Sequence, residues 1–146
     1  MANTQSPSVA ISTTSKPLPL CPVETTLQMI RSRWAVLILR DLFSGTKRFS
    51  DLKRSLQGIS QKVLTAELRE MEQSNLVERK VYPEVPPRVE YSLTPTGQSL
   101  KIVLCAMVEW GLSYQDSHGL PRTAEQKQQI REALHLVLEN EDSVSA

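Results

Sequence analysis

Four residues at helical spacing carry side chains suited to the edges of nucleic-acid bases. Gln61, Lys62, Thr65 and Arg69 share one arc when the stretch is turned at about 100° per residue, and Val63, Leu64, Leu68 and Met71 share the opposite arc. Arg and Lys can donate to guanine, Gln can pair with adenine, and Thr can meet a base edge or a thymine methyl. A surface helix normally mixes Glu with Lys on its wet side. Here roughly the first two and a half turns of that side hold no acid, and Glu70 and Glu72 come only later. The second candidate chemistry is a thiol. Cys21 immediately precedes a helix start, where the dipole and the open backbone amides favour a thiolate. The plainer alternative is that Cys21 only caps that helix. Cys105 lies among apolar residues and reads as inert filler.

No catalytic set accompanies these residues. There is no glycine-rich phosphate loop, and no serine or cysteine has a histidine partner at a known spacing. His118 and His135 stand apart from each other and from the thiols, so neither a metal site nor a cofactor is expected.

The elements around the polar arc are those that would present it to a duplex. Phe49, Leu52 and Leu56 have helical spacing, Gly58 offers a left-handed stop, and Ser60 is a good N-cap for the next helix. Two short helices joined by a tight glycine-containing turn make a helix-turn-helix. Ser50, Lys53 and Arg54 on its first helix, and Ser60 at the cap, would meet phosphates, with Lys47 and Arg48 flanking them. The stretches 76–82 and 89–93 read as strands, the second alternating Val89, Tyr91 and Leu93 against Glu90 and Ser92. Pro83, Pro86 and Pro87 interrupt pairing between them and stiffen the loop. A β hairpin directly after a helix-turn-helix is a wing, and Arg88 near its tip would reach the minor groove or nearby phosphates. An ordinary helical hairpin with a solvated face is the alternative. The turn, the acid-free arc and the Pro-rich hairpin together favour DNA.

Charge supports this only through its distribution. The 146 residues have net charge +1, but residues 31–101 hold 13 Lys and Arg against 8 Asp and Glu, an excess of +5 in the segment with the helix pair. The apolar run 34–39 is too short to span a bilayer, and the N-terminus lacks a charged start followed by an apolar stretch. Two cysteines make no disulfide framework, so a cytoplasmic protein with no membrane partner is expected.

In chain order, residues 1–20 are rich in Ser, Thr and Pro and read as a disordered or loosely attached tail. A first helix opens at Cys21-Pro22, with Glu24 in its first turn and Leu27 with Met29 or Ile30 on its buried side. Arg31-Ser32-Arg33 is a polar break. The stretch 34–43, apolar nearly all round, is the central buried helix, ended by Gly45. Residues 46–48 form a short extended connector with room for one strand stub. After the wing, Thr94-Pro95 starts a long helix running to about Asp116. Its stripe of Leu100, Val103, Leu104, Met107, Trp110 and Tyr114, widened by Ile102, Ala106 and Val108, exceeds what one small domain can cover. A second copy is the simplest partner, with Leu27, Val103, Leu104, Met107 and Trp110 at the interface. Gly119-Leu120-Pro121 breaks the helix, and Thr123 to Gln126 is a capping-box pattern. A last amphipathic helix with Ile130, Leu134, Val137 and Leu138 on one side follows, and 140–146 reads as frayed. The division is thus a tail (1–20), a DNA-binding and dimerisation domain (21–116) and a C-terminal extension (117–146).

The stretches CPVETTLQMI, W-x-x-L-I-L, KRFSDLKRSLQGISQKVLTAELREMEQSNLVERKVYPEVPPRVEYSLTPTGQSL and EWG resemble the HxlR-type family of bacterial regulators, in the wider MarR-like group. The resemblance runs from about Cys21 to Gly111. It implies a winged helix, mainly α with a small β hairpin, with long C-terminal dimerisation helices. It also implies a homodimer held by the first and the long C-terminal helices on a partly palindromic double-stranded DNA operator. Members of that family sense oxidants, quinones or aldehydes through a cysteine in the CPV motif, which is Cys21 here. Two features depart from the pattern: Arg31-Ser32-Arg33 replaces a Gly-x-Lys, and both terminal extensions are longer. The expectation is a homodimeric, sequence-specific transcriptional regulator, not an enzyme, responsive to oxidants or electrophiles through Cys21. A regulator sensing a small ligand without cysteine chemistry, and a winged-helix protein-interaction module, are the alternatives.

Overall fold

The computed structural model describes residues 17–134. The segment 1–16, most of the expected tail, and 135–146, including Val137 and Leu138, lie outside them. The elements are α1 (Pro22–Met29), α2 (Arg33–Phe43), β1 (Lys47–Arg48), α3 (Phe49–Ser55), α4 (Gln61–Gln73), β2 (Val77–Tyr82), β3 (Arg88–Leu93), α5 (Pro95–Ser99), α6 (Lys101–Ser117) and α7 (Ala124–Ala133). The chain is mostly helical with one small sheet.

The core gathers the inward faces that the apolar spacing marks. Ile38, Leu39 and Leu42 of α2 meet Leu52 of α3 and Leu56 at its C-cap, Leu64, Leu68 and Met71 of α4, and Leu104 and Cys105 of α6. Each fully buried Leu or Ile contributes about 1.5–3 kcal/mol of transfer free energy. Local chemistry sets the element ends. Ser32 Oγ accepts from the Ala35 amide at 2.9 Å, so the polar break makes its own N-cap for α2. Arg31 beside it pairs with Glu70 of α4. Gly58 takes φ +89 in the turn between α3 and α4, where a Cβ would be strained. At the far end of α4, Asn75 takes φ 58. The Leu76 amide then donates to Met71 O at 2.9 Å and the Asn75 amide to Glu72 O at 3.0 Å. This Schellman ending turns the chain straight into β2.

The structure revises several expectations. The sheet has three antiparallel strands in the order β1-β3-β2, because the connector stub pairs Lys47 with Tyr91 and Arg48 with Glu90. It ties the wing to the start of α3. The long helix is two pieces. Leu100 turns in to the core, and the bonds there tighten, with the Leu100 amide donating to Gly97 O at 3.2 Å and the Val103 amide to Leu100 O at 3.0 Å. Val63, assigned to the apolar arc, is exposed. Its Cβ direction sits at the edge of that arc, which Leu64, Leu68 and Met71 fill. Helix α1 buries none of its residues in this chain: Val23 and Leu27 are exposed, and Met29 and Ile30, which follows the helix, are half-buried against the core.

Helix α7 docks back on α6 through charge. Arg131 pairs with Glu109, and Lys127 pairs with Asp116. The Arg122 amide adds a bond to Asp116 Oδ1 at 3.1 Å. Thr123 and Gln126 form the expected capping box. These bonds, first the one from Arg131, hold the Glu109 carboxyl below its usual range, and Lys127, then the Arg122 amide, do the same to Asp116.

Candidate nucleic-acid interface

Helix α4 presents the polar arc as expected. Gln61, Lys62 and Arg69 are exposed and Thr65 is half-buried. Ser60 caps the helix, its Oγ accepting from the Val63 amide at 3.1 Å, which leaves the hydroxyl hydrogen for an external acceptor. The Thr65 hydroxyl donates to Gln61 O at 2.8 Å, so toward a ligand it offers its oxygen and its methyl. No acid stands in the first turn of α4. Ser50, Lys53 and Arg54 lie exposed on α3 nearby, Arg54 in a loose pair with Asp51 at 3.6 Å.

Ion pairing divides the basic residues. Arg31, Arg40, Arg54, Arg88, Lys127 and Arg131 have acidic partners. Among the described residues Lys53, Lys62, Arg69 and Arg79, on α3, α4 and the adjoining strand, have no ion pair, and the same holds for Arg33, Lys47, Arg48, Lys80, Lys101 and Arg122. Unpaired cations on one face leave their field for an outside anion.

Arg88, expected to reach the minor groove or nearby phosphates, lies among the hairpin's own carboxylates. Its guanidinium lies 3.2 Å from Glu84 and 3.4 Å from Glu90 and sits over the Tyr82 ring at 4.0 Å. Two carboxylates and a ring face therefore compete with any phosphate for it, although its Nε has no hydrogen-bond partner among the described residues. Sequence reasoning missed Arg79 of β2. It stands opposite Tyr91 in the ladder and lines a cleft of about 750 Å³ together with Gln61, Thr65, Arg69 and Glu72. The signal available was its parity: Arg79 shares a strand face with Val77 and Val81, the face turned toward α4.

The thiols separate as expected in exposure. Cys21 is exposed and occupies the N-cap of α1, but its side chain makes no capping hydrogen bond, contrary to the expected contact with the open amides. Cys105 is buried, and that burial pushes its thiol pKa up, with Glu109 adding to the rise and Lys101 opposing it. Burial therefore disfavours its reactive thiolate.

The residues named for an interface do not share one surface. Leu27, Met107 and Trp110 are exposed, Val103 is half-buried, and Leu104 is 2% exposed inside the core. Leu104 has no surface left for a partner, because it is buried inside the core cluster. Trp110 and Tyr114 stack with centroids 5.1 Å apart, and Tyr114 and His118 at 4.0 Å, forming an exposed row of rings along α6. Among the described residues no cluster of His, Cys, Asp and Glu could hold a metal, and no helix is long and apolar enough to cross a membrane.

A helix-turn-helix with a three-stranded wing and a cationic reading face defines a winged-helix transcriptional regulator. The chain belongs to the HxlR-like helix-turn-helix family, whose pattern matches residues 29–119. It is 45% identical over 96 residues to the HTH-type transcriptional regulator YdeP of Bacillus subtilis, which covers 66% of this chain and 75% of YdeP. Among solved structures it is similar to the redox regulator HypR in its oxidized form, with TM-score 0.59 and 44% identity, covering 64% of this chain and 96% of HypR. It is also similar to a MarR-family transcriptional regulator from Porphyromonas gingivalis, with TM-score 0.61 and 37% identity, covering 66% of this chain and 95% of that one.

Proposed function

We propose that this chain acts as a homodimer that binds a partly palindromic DNA operator and alters its binding when Cys21 is oxidised or alkylated. The observation that carries the DNA part is the polar arc of α4, with Gln61, Lys62 and Arg69 exposed and no acid in its first turn. In this reading Gln61, Lys62, Thr65 and Arg69 meet base edges, while Ser50, Lys53, Arg54 and Ser60 hold phosphates. The unit doing this is 21–116, and the extension after it docks on α6 through Arg122, Lys127 and Arg131.

Dimerisation is supported by the apolar residues that the chain leaves in water. Val23 and Leu27 on α1, and Ile102, Met107, Trp110 and Tyr114 on α6, are all exposed. A helix with no buried residue is marginal alone, and a second copy would give α1 something to pack on. Two-fold symmetry would place the two α4 helices in successive major grooves, roughly one helical turn apart. The cysteine part is supported by the exposure of Cys21 at the start of α1, the burial of Cys105, and likeness to a protein described as a redox regulator. An adduct on Cys21 would act on the helix proposed to join the protomers, and so on the spacing of the reading helices.

Selecting DNA fragments that the purified protein retains, then measuring affinity by anisotropy with and without diamide, tests both parts. Arg69→Ala or Gln61→Ala should cost about 1–3 kcal/mol on the selected site, and Lys53→Ala should weaken all duplexes alike. Diamide should change the affinity of wild type and leave Cys21→Ser unresponsive. If all three interface variants bind as wild type does, α4 is not the reading helix. If Cys21→Ser responds to diamide as wild type does, the cysteine part is wrong.

A further inference from the structure

We infer that the cleft between α4 and the sheet seats one phosphodiester strand of the bound duplex, held by Arg79 from the strand side while Arg69 on the helix side reaches past it to the bases. This rests on the duplex-binding reading above. The cleft is far too narrow for a duplex. It has the shape for a single strand, because a helix in the major groove and a wing over the minor groove leave the strand dividing those grooves between them. That dividing line falls on the cleft, which α4 borders with Gln61, Thr65 and Arg69 and β2 borders with Arg79. Tyr91 lies on its floor, an apolar surface suited to deoxyribose.

Charge within the cleft is uneven. Arg69 and Arg79 are exposed and make no ion pair among the described residues, while Glu72 lines the same cleft and also makes none. An unneutralised carboxylate beside a phosphate path opposes binding, so Glu72 weakens the hold on the strand. It also disfavours registers that would carry a phosphate past it. Arg88, the other arginine of the hairpin, is already committed to Glu84, Glu90 and Tyr82.

The test measures binding of a fluorescein-labelled, mixed-sequence DNA duplex across a sodium chloride series, with folding of each variant checked by circular dichroism. Each phosphate neutralised adds about 0.9 to the logarithmic salt slope, which corresponds to roughly eightfold in affinity near 0.1 M salt. Arg79→Ala should flatten the slope by about 0.9 per bound protomer and weaken binding by about that factor, and Arg79→Lys should restore most of the slope. Glu72→Gln should tighten binding severalfold, and Arg88→Ala should leave the slope unchanged. An Arg79→Ala slope equal to wild type, with Lys53→Ala still shallower, overturns the strand seat and leaves the duplex reading standing. Wild type without salt-dependent duplex binding overturns both. If Arg79→Ala does not fold, Glu72→Gln decides, and unchanged affinity in that variant overturns the inference.

Discussion

Replacing Gly97 by alanine should unlatch the wing from the helix behind it. Gly97 lies in the first turn of α5, buried against the start of the wing. A Cβ there would sit 2.1 Å from Leu76 O, 3.0 Å from Leu76 C and 3.1 Å from Leu93 Cδ2. The first of these must open by more than about 1 Å to reach van der Waals contact. Leu76 O cannot retreat freely, because it accepts from the Thr94 amide at 3.1 Å. Thr94 Oγ in turn accepts from the Gly97 amide at 3.0 Å and donates to Asn75 O at 2.6 Å. Relief of the clash therefore stretches the bond at the wing base or uncaps α5. Overpacking of a tight site costs about 1–3 kcal/mol and a lost hydrogen bond about 1, so the expected loss is roughly 2–4 kcal/mol. That is a large share of the roughly 5–15 kcal/mol that holds a domain folded. Urea unfolding followed by circular dichroism should show the midpoint falling by about 1–2 M, for a slope near 2 kcal/mol/M. Wing and α4 would also lose their mutual position, so duplex affinity should drop even where the variant is folded. A midpoint within about 0.2 M of wild type, with the slope unchanged, would refute the argument.

Acid should release α7. Glu109 and Asp116 have lowered pKa values because Arg131 and Lys127 hydrogen-bond their charged forms, so their contribution is present above the unfolded carboxyl pKa and lost as pH falls through the lower folded value. Amide NMR signals of 122–134 should keep their positions from neutral pH down to about pH 5 and shift together below about pH 4. Asp116→Asn should show the released pattern at neutral pH, and signals of 122–134 in that variant that match wild type would disprove the clasp. For assembly, Trp110→Asp should leave folding intact, since Trp110 is 69% exposed in the single chain. The same change should shift sedimentation from dimer to monomer, and a wild type that sediments as a monomer at micromolar concentration removes the dimer.

Much of the architecture was legible in the order of residue types, because helix ends and faces are local. Gly58 and Ser60 mark the turn before α4, Thr94-Pro95 marks α5, and Thr123 with Gln126 marks α7, each through bonds spanning a few residues. The polar arc of α4 was legible for the same reason, since one helix period fixes which side chains travel together. What the order of residues could not decide is which partner each face meets. Arg88 reads as a free cation along the chain, and only the hairpin's fold brings Glu84, Glu90 and Tyr82 around it. Arg79 reads as one of many strand charges, and only the packing of α4 beside the sheet places it across from Arg69. Leu104 and Trp110 belong to one apolar stripe in sequence, yet the core covers the first and leaves the second in water. The local pattern determined a winged helix with an exposed polar arc on α4. Tertiary packing decided which charges remain unspent and which apolar surface remains uncovered, because pairing and burial depend on neighbours far away in the chain.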